Sequence, residues 1–226
     1  MNFSQSMRKT RIKICGIRRV EDAMHAAYAG ADAIGLNFYA PSPRSITLQQ
    51  AMAVRDALPP FVSTVALFVN AARSEVNEVC ESLAPSLLQF HGDEDHDYCA
   101  SFSRPYVKAI RVGASMKADD LVQLQIEFST AKALLLDTLS AGRYGGTGES
   151  FNWDIIPASL REKIILSGGL TPINVGEAVR KIRPWAVDVS SGVELQKGVS
   201  DPEKILAFMS AIQRADAEVS EAQIGI

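Results

Sequence analysis

Cysteine is scarce in this chain, and the three present, Cys15, Cys80 and Cys99, are odd in number and form no CxxC spacing. That argues against both a disulfide framework and a structural zinc site, so any special role for one of them is chemical. Long apolar runs are missing as well. No stretch approaches the roughly 20 residues needed to span a bilayer, and the opening MNFSQSMRKT lacks the apolar core of a secretion signal. A cytoplasmic location with no membrane partner is the expectation. Charge excess is also absent: 23 Lys and Arg stand against 26 Asp and Glu, a net charge of −3, and no basic stripe is interleaved with aromatics. Nucleic acid is therefore not an expected partner. No linker or low-complexity stretch divides the chain, so 226 residues that are 47% apolar read as one domain with a sizeable core. The reading takes residues 1–10 as an N-terminal extension, 11–214 as the folded unit and 215–226 as a polar tail.

Short β-branched or aliphatic runs recur from end to end: RIKIC, ADAIGLNF, FVSTVALFV, SLLQFH, YVKAIR, ALLLD, KIILS and WAVDVS, eight candidate strands. Between them the apolar residues follow a helical period. Val20, Ala23, Met24, Ala27 and Tyr28 share one face before Gly30 ends the helix. Val175, Ala178, Val179 and Ile182 follow the N-cap and first-turn pair Thr171 and Pro172. Ile205, Leu206, Met209 and Ile212 follow Asp201 and Pro202. Eight strand–helix units predict a single-domain α/β fold, the parallel (βα)8 or TIM barrel, which typically takes about 250 residues or somewhat fewer. A doubly wound open sheet also alternates strand with helix. The count of eight and the polar residues at alternate strand positions favour the barrel.

In such a barrel functional groups gather where the strands end. The first run ends in Cys15, the fourth in Gln89 and His91, the fifth in Arg111, the sixth in Asp137, the seventh in Ser167, Gly168 and Gly169, and the eighth in Asp188, Ser190, Ser191 and Gly192. The strand period of two turns Lys13 and Cys15 inward and Ile12 and Ile14 outward, and in the eighth run turns Asp188 and Ser190 inward. Closure would bring Lys13 beside Asp188. Lys13 then either favours the Cys15 thiolate or only neutralises buried carboxylates, and spacing does not choose between these. Asp137 closes a strand with no other polar residue. It is either a loop cap or an acid whose pKa a partly apolar wall raises toward neutrality. Gly142, Gly145, Gly146 and Gly148 after it suggest a loop able to cover a ligand. The two stretches SGGLTPINV and SSGVE, at strands seven and eight, combine small residues with a helix start and favour a phosphate site. His25 reads as a solvated helix residue and Cys80 and Cys99 as small core residues. His91 and His96 lack metal-ligand spacing, so no metal is assigned.

These stretches together resemble the phosphoribosylanthranilate isomerase family of tryptophan biosynthesis, single-domain (βα)8 enzymes. The resemblance runs from about Arg11 to Ile212. It rests on KICGI, ADAIGLNFYAPSPRSIT, LLQFHGDE, LLLDT with GGTGESFNW, SGGLTPINV and VDVSSGVE, in that order. It implies an Amadori rearrangement without a cofactor, in which N-(5-phosphoribosyl)anthranilate becomes 1-(2-carboxyphenylamino)-1-deoxyribulose 5-phosphate. It also implies Asp137 as the general acid at the furanose ring oxygen and Cys15 as the base at C2. Arg44 would hold the anthranilate carboxylate. Backbone amides around Gly168, Gly169, Ser190, Ser191 and Gly192 would hold the phosphate, and Gln89, His91 and Asp188 would order substrate or the catalytic pair. The partner is thus a small phosphosugar, and a monomer or a homodimer fits equally. A histidine-pathway ketol isomerase would resemble an Asp–Asp pair, not Cys–Asp. A non-catalytic phosphosugar-binding barrel would not need Cys15, Asp137 and Arg44 together.

Overall fold

The computed structural model describes residues 8–138 and 151–224; the glycines expected to form a covering loop, from Gly142 to Gly148, lie outside the described residues. The elements run β1 (Arg11–Cys15), α1 (Val20–Ala29), β2 (Ala33–Asn37), α2 (Leu48–Ala57), β3 (Ser63–Phe68), α3 (Arg73–Ser82), β4 (Leu87–Phe90), α4 (His96–Ala100), β5 (Tyr106–Val112), α5 (Ala118–Glu127) and β6 (Leu134–Thr138). They continue with β7 (Ile164–Leu166), α6 (Val175–Ile182), β8 (Ala186–Val189), β9 (Glu194–Gln196), β10 (Val199–Ser200) and α7 (Pro202–Ile224). The first eight strands form one closed parallel barrel in sequence order, and β1 pairs with β8. That pairing removes the edges an open sheet would have, so the expected barrel is the observed fold.

Strand parity divides the core in two. Outward residues such as Ile12, Ile14, Leu134, Leu136, Val187 and Val189 pack beneath the helices. Inward residues Val107, Ala109, Ala133, Leu135, Ile165 and Ala186 fill the lower half of the barrel as a separate apolar cluster. The upper half of the interior is polar, and it lies at the strand ends. Between β6 and β7 the described residues carry two 3₁₀ turns, Trp153–Ile155 and Arg161–Lys163, where the pattern calls for a helix. Pro157 explains the break: it disfavours the helical region for the residue before it, and Ile156 is extended at φ −78°, ψ 110°. Trp153, Ile156 and Leu160 still cover the sheet there.

Three local expectations shift. In α1 the buried residues are Asp22, Ala23 and Ala26, and Tyr28 is exposed. Small side chains let this helix lie close to the barrel, and Asp22 tolerates burial because Arg19 grips it with Nε and Nη2 at 2.9 and 2.7 Å. Gly30 ends the helix in the left-handed conformation, φ 104°, as expected. In the seventh unit, residues 171–174 form a turn before α6 opens at Val175; the Asn174 side chain accepts from the Thr171 N–H at 2.8 Å. In α7 Phe208 is buried and Leu206 is exposed. Asp201 caps that helix by accepting from the Glu203 and Lys204 amides at 3.0 and 3.3 Å. The helix continues past residue 214: Ala215 is buried, and Asp216 accepts from the Thr10 amide and hydroxyl at 2.8 and 2.7 Å. The residue just before the barrel's first strand is thereby tied to its last helix. Among the described residues no helix is long and apolar enough to cross a membrane.

Candidate active site

Lys13 and Asp188 are register partners on β1 and β8, so closing the barrel places them side by side. Lys13 Nζ donates to Asp188 Oδ1 at 2.8 Å, with side chains only 6% and 5% exposed. Burial alone would push the lysine pKa down. The neighbouring Asp188 carboxylate and the Cys15 thiol outweigh it and hold that pKa above the ordinary lysine value. Room for this group comes from β2: a Cβ on Gly35 would stand 2.7 Å from Cys15 Sγ and 2.9 Å from Lys13 Nζ. Cys15 sits one layer above, at the end of β1, where it lines a cavity. The pull of Lys13 toward thiolate, one of the two alternatives left open by spacing, is present. It is not the dominant influence: burial pushes the Cys15 thiol up, Lys13 and Arg44 oppose it, and Asp188 adds to it. The net direction is upward.

Across the mouth, Asp137 is the penultimate residue of β6. Its Oδ1 accepts from the Thr138 amide at 2.9 Å, and its Oδ2 lies 3.1 Å from His91 Nε2. His91 Nδ1 in turn lies 3.0 Å from Gln89 Nε2. The imidazole of His91 thus bridges the Gln89 amide and the Asp137 carboxyl group. All three side chains are buried; Gln89 lies on β4, His91 directly follows it, and Asp137 lies on β6. Gln89, His91 and Asp137 thus form one chain leading from β4 to β6. Arg111, on β5, pairs with Asp93 in the loop after β4.

The loops after β7 and β8 complete the cavity wall through Gly168, Gly169, Ser190 and Ser191. Gly168 has φ 82°, and a side chain there would run into Thr138 beside Asp137, so glycine lets the β7 loop approach the carboxylate. Gly192 serves a different end. A Cβ at that position would overlap the Leu170 carbonyl, so its bareness packs the β8 loop against the β7 loop. Arg44 reaches the same cavity from the loop after β2, where Asn37 Oδ1 accepts from the Tyr39 amide at 2.9 Å and shapes the turn. Sequence reasoning missed its partner: Arg44 Nε and Nη2 donate to the two oxygens of Glu194 at 2.7 and 2.8 Å. Glu194 stands inside the quoted VDVSSGVE stretch, but 150 residues separate the two, and no local spacing links them. Among the described residues no group of three or more His, Cys, Asp or Glu side chains is disposed to hold a metal ion.

An acid on one side of the mouth, a thiol on the other, a guanidinium at the rim and glycine-bearing loops after the last two strands form a single constellation. Comparison with known proteins agrees with it. The model of the family described as N-(5'phosphoribosyl)anthranilate (PRA) isomerase matches residues 12–211. The N-(5'-phosphoribosyl)anthranilate isomerase of Pseudomonas savastanoi pv. phaseolicola is 55% identical over 206 residues, covering 91% of this chain and 98% of that one. The crystal structure of phosphoribosyl anthranilate isomerase from Thermotoga maritima superposes with a TM-score of 0.81 at 35% identity, covering 91% and 99% of the two chains. A second structure of such an isomerase, in complex with reduced 1-(o-carboxyphenylamino)-1-deoxyribulose 5-phosphate, gives a TM-score of 0.75 at 34% identity, covering 91% and 99%. A match that spans the whole barrel in sequence and in structure is enough to say that this chain belongs to the N-(5'-phosphoribosyl)anthranilate isomerase family.

Proposed function

We propose that this chain rearranges N-(5-phosphoribosyl)anthranilate to 1-(2-carboxyphenylamino)-1-deoxyribulose 5-phosphate, an aldose–ketose isomerisation in tryptophan biosynthesis. The observation that carries the reading is that Cys15 and Asp137, from strands on different sides of the barrel, line one cavity with Arg44 and the β7 and β8 loops. Asp137 donates a proton to the furanose ring oxygen while the anilino nitrogen lone pair forms the C1–N double bond and the C1–O bond breaks. His91 Nε2–H then stabilises the carboxylate left behind. Cys15, as thiolate, removes the C2 proton; the C2–H electron pair forms the C1–C2 double bond and the nitrogen recovers its lone pair, giving an enolamine. Protonation at C1 and loss of the C2 hydroxyl proton yield the ketone. No cofactor enters these steps.

Arg44 holds the anthranilate carboxylate, and the backbone at Gly168, Gly169, Ser190 and Ser191 holds the phosphate, with Gly192 fixing how those loops pack. Gln89 orients His91, and Asp188 balances Lys13 beneath Cys15. Every group in this scheme comes from one chain, so a monomer and a homodimer serve equally. The three free thiols fit a reducing compartment and a cytoplasmic location. The test follows anthranilate fluorescence on mixing N-(5-phosphoribosyl)anthranilate with purified protein. A rapid protein-dependent change to the ketose product is expected; no change at all ends the proposal.

A further inference from the structure

Arginine presents two edges able to take a carboxylate, the side edge formed by Nε and Nη2 and the end edge formed by Nη1 and Nη2. In this structure the side edge of Arg44 is filled by Glu194. We propose that Glu194 is a positioning residue of the site, a latch that fixes the side edge of Arg44 so that its end edge meets the carboxylate of the substrate. The inference rests on the reading above, which gives Arg44 that carboxylate, and it adds the group that aims it.

The latch is itself held. Arg44 and Glu194 side chains are 11% and 8% exposed, so water does not compete freely for either. Glu194 Oε1 also accepts from the Gly198 amide at 3.1 Å, and its carbonyl accepts from Lys204 Nζ at 2.8 Å. It opens β9, which pairs antiparallel with β10, and Gly198 in the turn between them has φ 78°. A side chain at Gly198 would stand 2.9 Å from the Pro43 carbonyl, so the hairpin presses directly on the loop that carries Arg44. Arg18 Nη1 donates to that same carbonyl at 3.3 Å. The loops joined in this way follow β2 and β8, the two strands that flank β1 in the barrel. The ion pair therefore crosses above the end of β1. Gly16, the residue after Cys15, has φ 82°, and a Cβ there would be 2.6 Å from Arg44 Cδ. The arginine stem thus lies across the residue next to the proposed base. The rotamer freedom of a free arginine side chain is thereby removed before substrate arrives.

The test compares the full-length wild type with E194Q and E194A on N-(5-phosphoribosyl)anthranilate and on the corresponding aniline, which lacks the carboxylate. E194A is expected to raise KM for the anthranilate substrate about tenfold, equivalent to ~1.4 kcal/mol, with kcat little changed. E194Q keeps the size and one acceptor oxygen and is expected to raise KM less. Neither variant changes KM for the aniline. In an R44A background the Glu194 substitutions add nothing further, because their effect runs through the arginine. Should E194A lose its fold by circular dichroism, E194Q decides alone. Unchanged or lowered KM in the folded variants, equal effects on both substrates, or a further loss on top of R44A overturns the latch. A wild type that leaves the anthranilate substrate untouched overturns the underlying reading instead, which keeps the two failures apart.

Discussion

On β6 the inward side chains run from Leu135 to Asp137, and on β8 from Ala186 to Asp188; two residues along each strand separate an apolar floor from a charged rim. Floor and rim share the same backbone, parity and enclosure. The floor obtains its stability from removing apolar surface from water. The rim holds charges that burial penalises, and each has a matched partner within hydrogen-bond distance: Lys13 with Asp188, Asp137 with His91, Arg44 with Glu194. The barrel thus concentrates chemistry in one layer above an apolar packing cluster. If that division holds, substitutions in the rim change turnover, those in the floor change stability, and the one ion pair deepest in the rim changes both.

The largest effect is expected at the reacting groups. D137N and C15S should each lower kcat by about 10²- to 10⁴-fold, the usual span for a general acid or base, while thermal unfolding stays close to wild type and phosphate-bearing ligands still bind. Near-normal turnover in either variant removes the assigned role. Next comes K13M, which leaves the Asp188 carboxylate buried without a partner. Breaking one side of such a pair costs about 3–5 kcal/mol, read as a lower urea midpoint, and removing both charges together in K13M with D188L should recover much of it. A single variant as stable as wild type would mean that water reaches this pair. In the floor, I165V should cost about 0.5–1.5 kcal/mol and leave kcat per folded molecule unchanged; a fall in kcat there would blur the boundary between the two layers.

Floor and rim were not equally legible in the sequence. Strand parity in RIKIC and WAVDVS turns Lys13 and Asp188 inward, and closure makes their strands neighbours; that the two are register partners is a stagger the structure adds. Asp137, Gln89 and His91 were readable as strand ends, yet their linkage into one chain was not, since hydrogen bonds between strands depend on stagger and rotamer. The Arg44 partner was hidden for a stronger reason. Glu194 follows a strand but belongs to a small hairpin, and only the folded loop brings it across β1. The same limit applies to α1, where Tyr28 satisfies the helical period and is exposed, while Asp22 is buried by virtue of Arg19. Periodicity reports which face is apolar, not which polar residues have found partners.

The smallest expected effect is the most direct measure of coupling within the rim. Burial raises the Cys15 thiol above its ordinary value, Lys13 and Arg44 pull it down, and Asp188 pushes it further up. A base must shed its proton before it can act, so kcat/KM should climb with pH as the thiolate fraction grows, and C15S should lose that limb. The sign of each neighbour then sets the direction of each shift. Removing the Asp188 charge in D188N takes away an anion that disfavours thiolate, so the rising limb moves to lower pH. Removing the Lys13 charge in K13M takes away the cation that favours thiolate, so the limb moves to higher pH, measured where the variant is still folded. Opposite displacements of the two profiles would show that the buried pair tunes the thiol as well as filling the layer below it. Profiles that coincide with wild type would reduce Lys13 and Asp188 to structural partners and leave burial alone in control of Cys15.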